Sequence, residues 1–393
     1  MPVPRRRFRL LLLAPLVAAG LTVAPVQAAH ADPAVMAAAD FRLKEGAYSS
    51  VIGKLAAILP SVSVPAVLDS ANRSAVTGSG CRPSATNQVA SFCWNSGDNN
   101  TPDWYPQGIS TTADAYGSGT YEGRTAIFSA WYYKGSGANK GVRVSFVDYG
   151  NPSAPKYRHV LLVEPYTNSS GRPDFRSVNV HAGGIFTYGH LLYVADTWNG
   201  FRTFDLRHLW KVSTGDKTRI GRQSDGKYHA HNYAYVLPQA QKFTSSTTNG
   251  VTRLRYSAAA LDRTSTPDSV VVPEYNAAGT GTRLVRFPID HTDRKFKESS
   301  DGYTHATQLV SAGIKSMQGA TAINGKFFVS ASAGSSSRGS LYTVTGSGSA
   351  TRHSGALPVG PEDLSYRGPA NQLWSQTEYP GSRAVFAVNP NQF

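Results

Sequence analysis

Five polar residues recur just ahead of similar strand-like runs. Gln107 precedes Gly108-Ile109, His181 precedes Ala182-Gly183-Gly184-Ile185, and His231 precedes Asn232-Tyr233. Gln318 precedes Gly319-Ala320, and Glu362 with Asp363 precedes Leu364. Turn-opening positions are usually filled by Gly, Ser or Asn, so two imidazoles, two amides and a carboxyl group are an unusual set. Three chemistries suit them if they meet. Amides and a carboxylate bind sugar hydroxyls, with Trp104, Tyr105, Trp198 and Tyr233 offering aromatic faces. His181 or His231 could move a proton near neutral pH, with Glu362 as charge partner or carboxyl catalyst and Gln107 and Gln318 as orienting groups. Arg202, Arg255 or Lys315 would then neutralise a substrate carboxylate, as a polysaccharide lyase needs when it removes the α-proton of a uronate. A divalent metal ion is the third use: His229 and His231, two apart on a strand, would share a face, and His181 with Gln318 or Glu362 would complete the shell. Polar residues at such positions also serve simply to satisfy neighbouring backbone.

These residues can meet only if the elements between them repeat. From Trp104 onward, short aromatic and β-branched runs alternate with Gly, Asn, Asp or Pro: 126–133, 142–148, 159–163, 191–195, 201–204, 233–237, 253–258, 269–273, 283–288, 326–330, 341–344, 372–375 and 384–388. That spacing predicts an all-β domain, and no helix-length segment alternates with the runs as a parallel α/β sheet requires. Each unit opens on one of the polar residues and continues through two or three strands. Modules of that size hide their faces only against one another, and the layout resembles a secreted β-propeller in strand texture, without a family signature. The resemblance covers residues 104–390 and implies that the opening residues converge at one end of a central axis. Five openings predict five blades, and the long middle region leaves room for a sixth or a seventh. A β-sandwich is the competing arrangement.

The segments before the repeats read differently. Residues 1–31 carry Arg5, Arg6, Arg7 and Arg9, then an apolar run from Leu10 and the small-residue site Ala29-His30-Ala31. This is the layout of an export signal, general or twin-arginine, cleaved before Asp32. Residues 32–103 are expected to hold an N-terminal helical segment over 34–59, as one helix or two split near Gly46, and then a surface excursion over 61–103, ahead of a propeller domain at 104–393. Cys81 and Cys93, the only two cysteines, are expected to pair in an oxidising compartment.

Composition narrows the function classes. The chain has 393 residues, 16% of them charged, with 20 Tyr and 16 Phe, which excludes disorder and coiled coil. Its net charge of +14 becomes +10 once four arginines leave with the signal. A positive surface outside a cell suits an acidic polysaccharide, and because the charges are scattered, nothing singles out nucleic acid. No Gly-x-Ser-x-Gly elbow, His-Glu-x-x-His helix, phosphate loop or dinucleotide-binding glycine pattern is present. A glycosidase needs two facing carboxyls, which Glu362 or Asp363 with Asp148, Asp196 or Glu274 could supply. The expectation is an exported monomer without a membrane span whose axial pocket cleaves an extracellular, acidic glycan by lyase or hydrolase chemistry; a lectin-like or protein-binding propeller is the alternative.

Overall fold

The computed structural model describes residues 36–393, and the expected export signal and its cleavage site lie outside them. From residue 104 the strands group into four-stranded blades with antiparallel neighbours, named here by chain order, and the first two are joined by a short parallel pairing of their outer strands, Val236 opposite Leu161. The first comprises Trp104–Thr111, Ala126–Tyr133, Val142–Asp148 and Lys156–Thr167; the second comprises Ile185–Tyr188, Leu191–Asp196, Gly200–Asp205 and Tyr235–Thr247. Next come Ala260–Asp262, Ser269–Pro273, Arg283–Pro288 and Gln308–Ser311, followed by Met317–Ile323, Lys326–Ala331, Ser340–Val344 and Ala350–His353. The fifth blade takes Ser365–Arg367, Gln372–Gln376 and Ala384–Val388 from the C-terminal end, and its outermost strand is Gln88–Cys93.

The innermost strands touch in cyclic order, first to second through to fifth, and the fifth returns to the first. A ring of radial sheets is therefore closed, which makes the chain an all-β propeller. Closure is sealed by pairing both ends of the repeat region in one sheet, with Val385 opposite Phe92 and Ala384 opposite Cys93.

Strand alternation explains the radial order, because successive side chains leave a sheet on opposite faces. Phe128, Val144 and Val160 of the first blade pack against Ile185, Leu192 and Phe204 of the second. Phe186, Tyr193 and Phe201 on the second blade meet Leu261, Val270 and Phe287 on the third. The same division recurs between third and fourth blades at Leu284 and Phe327, and between fourth and fifth at Phe328 and Phe386. Trp374 and Val385 join Trp94, Trp131 and Ile127 where the fifth meets the first. The core is thus divided into wedges between blades, and most strands read as buried on both faces.

Glycines set how close the blades come at the axis. A Cβ on Gly108 would lie 2.7 Å from the backbone N of Ile185, one on Gly184 would lie 2.0 Å from the N of Ala259, and one on Gly319 would lie 2.6 Å from the Cα of Asp363. Each missing side chain faces the backbone of the next inner strand, so only glycine permits that approach.

Two expectations for the N-terminal part are corrected. Residues 41–45 are a strand, not helix, pairing antiparallel with the outer strand of the second blade so that Phe41 and Leu43 are buried while Lys44 is exposed. Among the described residues of 34–59, α-helix is confined to Val51–Ala56, because the apolar residues of 41–45 follow a period of two. Residues 61–103 are not a surface excursion, since they supply the fifth blade's last strand and bury Phe92 and Trp94. Cys81 and Cys93 form the expected disulfide, with Cα atoms 5.5 Å apart. Among the described residues no helix is long and apolar enough to cross a membrane.

Candidate active site at the propeller axis

A recess of about 660 Å³ opens at one end of the axis. Antiparallel pairing explains its lining, because the entry of each inner strand and the exit of its partner lie at the same end of a blade. From the entries come Gln107, His181, Ser257 and Gln318; from the exits come Asp196, Thr197, Trp198, Tyr275, Ser332, Glu378 and Tyr379. Every blade contributes.

Gln107 and Gln318 stand on equivalent β-bulges. The register shifts between Pro106 and Ile109 in the first blade and between Met317 and Gly319 in the fourth. An extra residue in one strand breaks the alternation and re-aims its side chain, here into the recess. The Gln107 Nε2 donates to Glu378 Oε2 at 3.2 Å and to the Pro106 carbonyl at 3.0 Å.

Glu362 lies directly beneath this pair and is 1% exposed, with its Oε1 unpartnered. Burial raises its pKa well above the usual carboxyl range, and the neighbouring Glu378 and Asp363 carboxyls add to the rise. Glu362 consequently keeps its proton to a higher pH than a solvated carboxyl does, and it stands beside Glu378 of the recess wall. Opposite the fifth blade in chain order, Asp196 is held by Arg202 Nε at 2.9 Å and Asn199 Nδ2 at 2.9 Å.

His181 packs on Tyr132, with ring centroids 4.5 Å apart. Its ring opens onto the recess, but dense protein on the other sides, together with the Arg255 and Lys134 cations, lowers its pKa to about 4. The imidazole is therefore neutral at pH 7. Arg255 spans the faces of Trp198 and Tyr275, 5.6 and 5.0 Å from the ring centroids, and its Nε has no partner. The nearby carboxylates are committed elsewhere, Asp196 to Arg202 and Glu274 to Arg283.

The expected set of five is thus only partly assembled. Gln107, His181 and Gln318 line one recess with Trp198, and Glu362 sits under its floor. His231 does not join them. It belongs to an excursion between the third and fourth strands of the second blade, in a left-handed turn with φ of 48°, and lines a different recess together with Tyr233. The position equivalent to His181 in the third blade is Ser257, whose carbonyl lies where a Cβ on Gly183 would fall. Arg202 stands behind the wall, bonded to Asp196 and to Gln239 Oε1 at 2.9 Å.

The expected metal pair is also corrected. His229 ends in a contact with Asp225 at 3.3 Å, whereas His231 has left the strand, so the two rings do not share a face. Among the described residues no group of three or more His, Cys, Asp or Glu side chains gathers as a metal shell would.

The sequence reading named Asp196 among the possible facing carboxyls, whereas Glu378, Tyr275 and Tyr379 escaped it as members of the site. Their signal was positional: each follows the second strand of a unit, the place that antiparallel pairing returns to the axial end.

Fold and recess together define an all-β propeller with a polar axial pocket. No protein-family model and no curated protein matches the chain. Solved structures similar to it include a β-xylosidase designated RS223, at 10% identity over 74% of this chain and 94% of that one, with a TM-score of 0.33. A thermostable family-43 glycoside hydrolase is similar at 11% identity, 73% and 90% coverage and a TM-score of 0.34. The Dos1 propeller follows at 10% identity, 74% and 69% coverage and a TM-score of 0.28. With scores this low the likenesses assign no chemistry, which rests on the chain's own geometry.

Proposed function

We propose that the protein is an exported monomer that binds an extracellular, acidic glycan in the axial recess and hydrolyses a glycosidic bond there. One observation carries the reading: Glu362, buried and with its pKa raised, lies against Glu378 on one wall while Asp196 is fixed by Arg202 on another. In this reading the Glu362 and Glu378 pair delivers a proton to the leaving glycosidic oxygen. Asp196 takes a proton from water, whose oxygen forms the new bond to the anomeric carbon. Gln107 and Gln318 hold sugar hydroxyls, Trp198 and Tyr275 offer ring faces, and the uncommitted Arg255 pairs with a uronate carboxylate. The neutral His181 accepts or donates one hydrogen bond to the sugar.

A lyase is the second reading, favoured by the same neutral His181 standing close to Arg255. It would remove an α-proton while the guanidinium stabilises the charge. The two differ in product. A panel of uronate-containing polysaccharides is incubated with the full chain, and both new reducing ends and ultraviolet-absorbing unsaturated ends are measured. Hydrolysis gives the first alone and is lost in Glu378→Gln; lysis gives both and is lost in His181→Ala. A glycan that is retained by the protein yet yields neither product overturns both and leaves a lectin-like propeller.

A further inference from the structure

A second recess of about 240 Å³ shares no lining residue with the axial one. Its wall combines Arg158 and His159 of the first blade's outer strand, Arg73 of the short strand beside it, and Lys217 and His231 of the second blade's excursion. Lys140 completes a lining that carries four Lys or Arg side chains and no Asp or Glu.

The charge behind this wall does not neutralise it. Asp98 already accepts Arg143 Nη2 at 2.8 Å, Arg73 Nε at 3.1 Å and the Tyr157 hydroxyl at 2.8 Å, and Asp216, whose charge also reaches His231, is paired with Arg219 Nε at 3.0 Å. His159, bonded to Asp98 at 3.1 Å, is held neutral, its pKa lowered to about 3 by burial and by Arg143. Arg158 is stacked 5.3 Å over Tyr235 and donates to the Ser70 carbonyl at 3.1 Å, with no acidic partner. Lys140 and Lys217 make no ion pair among the described residues.

Like charges gathered in a concave site repel one another unless an anion occupies it, and low-dielectric walls strengthen both terms. The volume is below that of pockets that hold drug-sized ligands, roughly 300–1,000 Å³. Cations reaching in from several separate elements suit a tetrahedral group better than a flat carboxylate, which one bidentate arginine satisfies. We infer that this recess binds a small tetrahedral oxyanion, phosphate or sulfate, as the free ion or as the ester group of a small molecule.

Calorimetric titration of the full chain at low ionic strength tests this with inorganic phosphate, sulfate, glucose 6-phosphate and acetate. Saturable binding of the tetrahedral anions is expected, weakened about tenfold each by Arg158→Gln and by Lys217→Gln. Lys217 is exposed, so its variant keeps the native melting temperature and guards against misfolding. Trp198→Ala, at the other recess, leaves this binding unchanged. Tighter binding of the ester than of the inorganic ion identifies an ester as the ligand; equal or weaker binding identifies the free ion. The inference is overturned by no saturation up to about 10 mM of any tetrahedral probe, by acetate binding as well as they do, or by unchanged affinity in both variants.

Discussion

The carboxyl group of Asp363 in the fifth blade accepts the backbone N–H of Ile185 in the second, 3.1 Å away and 178 residues earlier in the chain. The same Oδ2 accepts the N–H of Ile109 in the first blade, also at 3.1 Å. Gly108, Gly184 and Gly319 bring inner-strand backbones together at the axis, and Asp363 satisfies two of the amides left there. Its side chain therefore ties three blades at the point where the ring closes.

Removing that acceptor strands two buried amides. Asp363→Ala should lower unfolding stability by about 2–4 kcal/mol, measured by denaturant titration. Asp363→Asn keeps an acceptor oxygen and should lose less. Equal stability of wild type and Asp363→Ala would show that the axis relaxes around the loss.

Glu362 gives a pH signature of its own. Its folded pKa is raised by burial and by Glu378, so above the unfolded value of about 4.3 the unfolded chain releases a proton that the folded chain retains. Stability from this group must then fall as pH rises, by at most about 1.4 kcal/mol per pH unit, until the folded pKa is passed. Glu362→Gln cannot titrate. The difference in stability, wild type minus variant, should therefore decline as pH rises above about 4.3; a flat difference would mean that Glu362 titrates as a solvated acid.

Asp98 has the opposite sign. Burial pushes its pKa up, but hydrogen bonds from His159 and Tyr157 and the charge of Arg143 more than offset this, leaving it well below the usual carboxylate range. The stability it supplies is present above the unfolded value of about 3.9 and disappears as pH falls below it. Asp98→Asn leaves the buried Arg143 without its counter-charge and should cost about 3–5 kcal/mol at pH 7. The gap between wild type and variant should narrow progressively as pH falls below about 3.9, which unfolding curves at pH 7 and at a series of lower pH values would check.

The recess wall can be probed without disturbing the core. Trp198 is 55% exposed, so Trp198→Ala should leave the melting temperature unchanged while weakening glycan retention about tenfold. Arg255→Gln should weaken an acidic glycan by about 10–100-fold and a neutral one far less, measured by affinity electrophoresis. Equal losses for both glycans would remove the role given to the guanidinium.

Much of this architecture was legible from residue order. The strands at 126–133, 142–148, 269–273, 283–288 and 384–388 fall where the aromatic and β-branched runs predict them. Gln107 and Gln318 lie within the first half of inner strands, and His181 and Glu362 lie just ahead of theirs, which brings all four to the axial end of their blades. His231 misled for a physical reason: a turn residue before a β-branched run looks the same whether the run starts a blade or resumes one after an insertion. Residues 41–45 misled because five residues are too few to separate a period of two from a helical period.

Local sequence determined the strands, their buried faces and the small residues that let backbones approach. Tertiary closure decided the rest: that Gln88–Cys93 completes the last blade, that Asp363 serves three blades, and that Glu378 meets Glu362 while His231 does not. Burial and charge at a site are set by neighbours hundreds of residues distant, and no local pattern encodes which of them will arrive.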